Sequence, residues 1–176
     1  MIYTHDQINL FAKICNFFDQ MNYSIVEAKI HTTDHHYALN NFVILDESGK
    51  SVRYSGLFHF IETELTKNID ATTALDAPLR GRISRQVKHM PIEAQFTLTE
   101  ETDSNNHQLE IVANDRPGLL ATIAHHFLTL EIELHNAKIN TLGNRAEDTF
   151  LISAKNGQKL DCDRLQKLKD TLISHI

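Results

Sequence analysis

The chain repeats itself, and the repeat limits what it can fold into. Residues 10–21 read LFAKICNFFDQM and residues 119–130 read LLATIAHHFLTL. Leu10, Phe11, Ile14, Cys15, Phe18 and Met21 match Leu119, Leu120, Ile123, Ala124, Phe127 and Leu130, each pair 109 positions apart. The spacing of three and four within each set marks the apolar stripe of an amphipathic helix. At the same offset, IVEAKIHT (25–32) matches LHNAKINT (134–141), and both alternate as a half-buried strand does. The turn that follows is one residue longer in the first copy, so the offset falls to 108. NNFVILDESGK then aligns with DTFLISAKNGQ, placing Phe42 with Phe150 and Gly49 with Gly157. Each copy ends in a second apolar stripe, Leu57, Ile61 and Leu65 in one, Leu165, Leu168 and Leu172 in the other.

The order strand, helix, strand, strand, helix needs one more strand to make a ferredoxin-like βαββαβ unit. The fold class is therefore α+β: two such units, each an antiparallel sheet of four strands with both helices on one face. Residues 1–70 form the first unit, 71–91 a basic linker and 92–176 the second unit. The second copy has no strand after its last helix. EAQFTLT (93–99) is expected to fill that edge by pairing antiparallel with HQLEIVA (107–113) across the turn ETDSNN. The linker carries Arg80, Arg82, Arg85, Lys88 and His89 and reads as a solvated connection or as a basic contact surface. Units of about 80 residues bury only a marginal core, so the two should pack on each other or within a homodimer.

Composition removes several classes of function. A net charge of -6 does not suit nucleic acid, whose phosphates need a basic face. No run approaches the roughly 18 apolar residues of a membrane span. MIYTHDQINL lacks the basic start and apolar core of a secretory leader, and its almost immediate strand suggests a piece of a longer protein. Cys15 sits on the first apolar stripe as a core residue, and Cys162 stands alone in a polar segment. No disulfide framework or CxxC motif is present, which fits a reducing cytoplasm.

NDRPGLL at 114–120 lies between a strand and a helix. Pro117 suits a helix's first turn, and Gly118 lets a ligand approach the backbone. The helix N-terminus offers N–H groups to a carboxylate. Asp115 could cap the helix or hold an ammonium group. An α-amino acid presents both charges, so the expected ligand site comprises Asn114, Asp115, Arg116, Pro117, Gly118, Leu119 and Leu120. His135 and Asn136 join it from the start of the next strand. A capped helix start with a tight turn would carry the same residues without any ligand. The first copy reads HDQINLF; it keeps Asp6 but has Gln7, Ile8 and Asn9 in place of Arg, Pro and Gly, so the two loops are not expected to be equivalent. The histidine pairs His35–His36 and His125–His126 do not chelate one ion well, and no HExxH, GxSxG or phosphate-loop motif is present. The segment is expected to be non-catalytic and to hold no metal or cofactor.

The repeat and the D-x-P-G-L-L loop together resemble ACT domains, βαββαβ modules that pair and bind amino acids to regulate attached enzymes. Three stretches narrow the resemblance to the C-terminal tandem ACT region of the bacterial PII uridylyltransferase/uridylyl-removing family. They are LFAKICNFFDQMNYSIVEAKIHTTDHHYALNNFVILDESG, RISRQVKHMPIEAQFTL and NDRPGLLATIAHHFLTLEIELHNAKINTLGNRAEDTFLI. The resemblance implies glutamine sensing and upstream catalytic domains. These would be a magnesium-dependent nucleotidyltransferase that modifies the signalling protein PII and a metal-bearing HD domain that removes the modification. Ile8 departs from the family's usual Pro in the first loop. A free-standing double-ACT regulator acting through protein contacts is the alternative.

Overall fold

The computed structural model describes residues 1–7, 9–33, 35–46, 49–51, 55–71, 75 and 92–176. Ile8 and the basic run Arg80 to His89 lie outside the described residues. Seven strands are present among those described: β1 (Ile2–His5), β2 (Ser24–Thr32), β3 (Tyr37–Leu45), β4 (Gln95–Glu100), β5 (His107–Asn114), β6 (Ile132–Leu142) and β7 (Arg145–Ala154). The helices among the described residues are α1 (Leu10–Gln20), α2 (Ser55–Asp70), α3 (Leu119–Thr129) and α4 (Cys162–His175), with a short 3-10 turn at Lys155–Gly157.

The strands form one antiparallel sheet in the order β1-β3-β2-β6-β7-β5-β4. The two copies thus meet side by side at β2 and β6. β4 completes the second copy as expected, with Gln95 opposite Val112 and Glu100 opposite His107. The first copy departs from the expected four strands: among the described residues it contributes three, because the strand before the second copy pairs with β5.

The seam is built on the repeat. Lys29 stands opposite Lys138, its own equivalent 109 positions on, and Ala28–Ile139 mirrors Ile30–Ala137. Equivalent strands paired antiparallel about equivalent residues generate a local two-fold axis. The irregularities repeat as well. β2 shifts register between Ile25 and Glu27, and β6 does so between Leu134 and Asn136, the same place in each copy. Asn22 and Glu131, also equivalent, both take left-handed backbone after their helices.

The helices lie in the order α2-α1-α3-α4 over one face of the sheet. Their stripes are buried as the spacing requires: Ile14, Cys15 and Phe18 on α1, Ile123, Ala124 and Phe127 on α3. α1 faces two ways. Leu10, Ile14, Phe17 and Phe18 pack with Ile61, Leu65 and Ile69 of α2. Phe11, Ala12 and Cys15 join the second copy's core around Phe150 and Ile152. Phe150 is fully buried; it meets Phe127 edge-on at 5.3 Å and Phe11 of the first copy at 6.3 Å. The Lys13 ammonium closes the end of α2 by donating to the carbonyls of Ile69 and Ala71 at 2.5 and 2.8 Å.

Because this core crosses the seam, the two copies should unfold together. Urea denaturation followed by circular dichroism and by hydrogen exchange should give one shared transition. Phe150→Ala should lower the unfolding free energy by about 3–5 kcal/mol and shift both copies alike. Two separated transitions would contradict the shared core.

Candidate functional site

The two strand-to-helix loops have the same backbone. Asp6 N–H donates to the His36 carbonyl at 2.8 Å, and Asp115 N–H donates to the Asn144 carbonyl at 2.8 Å. Leu10 N–H reaches the Gln7 carbonyl, and Leu119 N–H reaches that of Arg116, both at 3.1 Å. The residue before each helix is left-handed, Asn9 at φ 74° and Gly118 at φ 78°, and neither helix has a side-chain cap. Asn is the L-residue that best tolerates this region beside Gly, so the Asn9 exchange preserves the turn. Two expectations are corrected here. Asp115 does not cap α3, since Gly118 occupies the cap position. Pro117 precedes the cap and does not lie in the first turn.

The seam turns each loop toward the other copy. Antiparallel pairing of β2 with β6 carries the start of each strand to the opposite copy's loop, so two crevices form between the copies. One is lined by Asp115, Arg116, Pro117, Gly118, Leu119, Leu120 and Ala121 of the second copy with Cys15, Tyr23, Ser24 and Ile25 of the first. Its floor includes Ile139, Thr141, Ala146 and Asp148. The other holds Asp6, Gln7 and Asn9 against Ile132, Glu133, Leu134 and His135, with Asn40 on its wall. The first crevice encloses about 40 Å³ and the second about 480 Å³. Small-molecule pockets span about 300–1,000 Å³, so the crevice at the Asp115 loop admits an amino acid only if its walls part.

Six of the nine expected site residues, Asp115 to Leu120, therefore line one crevice. Three do not. The Asn114 amide is committed to residue 92, donating to the Ile92 carbonyl at 3.0 Å and accepting from its N–H at 3.1 Å. His135 falls at the β6 register shift, shares a 2.7 Å hydrogen bond with Ser153 and lines the other crevice. Asn136 is exposed opposite His31 at the seam and lines neither crevice. Arg116 reaches across to the His175 carbonyl at the end of α4.

Sequence reasoning missed the residue that most changes the crevice's chemistry. Asp148 lies on β7 in phase with Ala146, Phe150 and Ile152, all facing the helices, and is 3% exposed. A carboxylate in the apolar phase of an alternating strand was the available signal. Among the described residues its hydrogen bond is one long contact, Asn140 N–H to its Oδ1 at 3.4 Å. Burial pushes its carboxyl up to about 7; the Asn140 N–H works against this, and the Asp115 charge adds to it. Burial also raises the Asp115 carboxyl, opposed by the Arg116 N–H. In the other crevice burial raises Asp6, with the Gln7 N–H opposing and the Glu133 charge adding.

The chain is similar, over 153 residues and 87% of its length, to the bifunctional uridylyltransferase/uridylyl-removing enzyme of Nitrosospira multiformis, at 43% identity and over 17% of that protein. Its likeness to the same enzyme of Aromatoleum aromaticum covers all of the chain at 40% identity and 20% of that protein. The chain corresponds to a segment of the bifunctional uridylyltransferase/uridylyl-removing enzymes. It spans about a fifth of the length of these relatives. No protein-family model and no solved structure matches it. Among the described residues, no helix is long and apolar enough to cross a membrane.

The folded state holds the Asp148 proton from about pH 4 to about pH 7, a range where the unfolded chain has already lost it. Asp148 therefore makes stability fall as pH rises through that window. Asp148→Asn should remove this slope and raise stability at pH 8, by on the order of 2–4 kcal/mol, with little change at pH 4. Chemical denaturation of both proteins from pH 4 to pH 8 checks it; a parallel pH dependence would refute the assignment. At Gly118, Val should cost about 1–2 kcal/mol through its positive φ. Asn should cost less, as Asn9 sits in the same conformation.

Proposed function

We propose that this segment is the glutamine-sensing regulatory part of a bifunctional uridylyltransferase/uridylyl-removing enzyme: a tandem pair of ACT domains that carries no catalysis itself. The observation that carries the reading is the Asp115–Ala121 crevice, made by a helix-start loop of one copy and a strand start of the other. The α3 N-terminus takes the ligand's α-carboxylate on free N–H groups. A carboxylate of the crevice takes its ammonium. A ligand entering so narrow a crevice must move Tyr23–Ile25 away from the loop, and so move one copy relative to the other. Binding is thereby converted into a change of shape that attached catalytic domains can sense. The likeness to uridylyltransferase/uridylyl-removing enzymes supports uridylylation and its reversal as the regulated pair; PII, the protein modified in this reading, comes from the family resemblance. The magnesium and the HD-domain metal belong to those catalytic domains. β1 and β4, the sheet's edge strands among the described residues, leave room for pairing with a second copy of the chain as a homodimer, in the cytoplasm.

Calorimetry of the chain against the twenty amino acids should single out glutamine over apolar residues of similar size. Gly118→Val and Gly118→Asn should each weaken it at least about tenfold, or 1.4 kcal/mol. Gln7→Ala should change it less than about threefold. Because Gly118→Asn keeps the turn, loss of binding with an unchanged melting temperature separates obstruction from unfolding. Binding that survives both Gly118 variants and fails in Gln7→Ala would move the site to the other crevice.

A further inference from the structure

The two crevices share a feature that the core does not need. Position 40 on β3 and position 148 on β7 are equivalents at the 108-residue offset. Both point toward the helix layer, both line a crevice and both are polar, Asn40 at 1% exposure and Asp148 at 3%. Neither is well partnered. Among the described residues, Asn40 Oδ1 accepts no hydrogen bond, and Asp148 has the single 3.4 Å contact from Asn140. A carboxylate offers about four acceptor positions, and a buried acceptor without a donor is unfavourable. Packing alone would place an apolar side chain in this phase, as Ala38 and Ala146 do two residues earlier. A buried acceptor kept twice at the same place, facing a crevice each time, fits a ligand that brings N–H donors.

We propose that Asp148 is the specificity-determining contact of the Asp115–Ala121 crevice, where its carboxylate accepts from a side-chain amide and refuses a carboxylate of the same shape. The inference rests on the reading that glutamine binds in this crevice. Glutamine and glutamate have nearly the same shape, so apolar walls cannot separate them. A fixed buried acceptor can, because glutamate has no side-chain donor to give it and sets two like charges together. The first copy's Asn40 offers the same acceptor without the charge, so it lacks the repulsive half of the discrimination.

The test is calorimetry of the chain and of Asp148→Asn with glutamine and with glutamate at pH 8.5, with a thermal melt as the folding control. The unchanged chain should prefer glutamine by about a hundredfold or more, and the variant by less than about tenfold, through a gain in glutamate affinity. A variant that still rejects glutamate overturns the inference while leaving glutamine sensing intact. A variant that loses glutamine without gaining glutamate also overturns it, and makes Asp148 the ammonium's partner. No binding of glutamine to the unchanged chain removes the underlying reading and this one with it. If the variant does not fold, the unchanged chain still decides: its preference should shrink at pH 5.5, as Asp148 takes up a proton. The other titratable or charged groups facing this crevice are Cys15 from α1, Tyr23 before β2, and Asp115 and Arg116 from the loop. A preference equal at both pH values would refute the assignment.

Discussion

The pairing of β2 with β6 is the contact on which the rest of the molecule depends. It joins two copies of one strand antiparallel about Lys29 and Lys138, and so imposes a two-fold relation on everything attached to them. Register is held by Ala28, Ile30, Ala137 and Ile139, all buried on the helix side. A slip by one residue would turn these toward solvent and the lysines inward. The two lysines face each other on the exposed side, where water and salt reduce their repulsion. From this one seam follow the continuous seven-stranded sheet, the packing of α1 beside α3, and a core in which Phe11 of one copy reaches Phe150 of the other.

The same geometry makes the crevices. Antiparallel pairing sends the start of each seam strand toward the opposite copy's helix-start loop, so each crevice draws its walls from both copies. The two are alike in backbone and unlike in chemistry. One has Gly118 at its mouth and Asp148 at its floor, with its walls almost closed. The other has Asn9 and Asn40 and stands open. A buried carboxyl held near neutrality costs stability, and such departures from the rules of core packing concentrate where a protein contacts something else. The chain's likeness to uridylyltransferase/uridylyl-removing enzymes covers the segment that holds both crevices.

Much of this was legible from periodicity. The helix stripes of α1 and α3, the paired strands, the pairing of β4 with β5 and the loop ending in Gly118 all follow from local spacing, because each depends on residues within a turn or a hairpin of one another. The repeat made the two halves comparable, and comparison made the exchange of Gly118 for Asn9 visible. His135 and Asn136 lie away from the loop that begins α3 for a definite reason. They follow α3 in sequence, which suggests a position beside the loop that begins it. β6 instead runs to the other copy's loop, and the register shift after Leu134 changes which way His135 points. Asn114 stands outside both crevices, its amide bound to residue 92, a contact 22 positions away that no local pattern reports.

The sequence by itself therefore determined the elements, their order, the two-fold repetition and the strand-to-helix loop that ends in Gly118. These rest on side-chain spacing and on backbone conformations that single residues permit. Only the tertiary structure decided that the copies share a sheet through β2 and β6, that each crevice is walled by both, and that Asp148 lies at the floor of one. Those facts depend on which edges meet. A strand edge offers the same N–H and C=O groups along its whole length, so its partner is chosen by the buried faces that the pairing brings together.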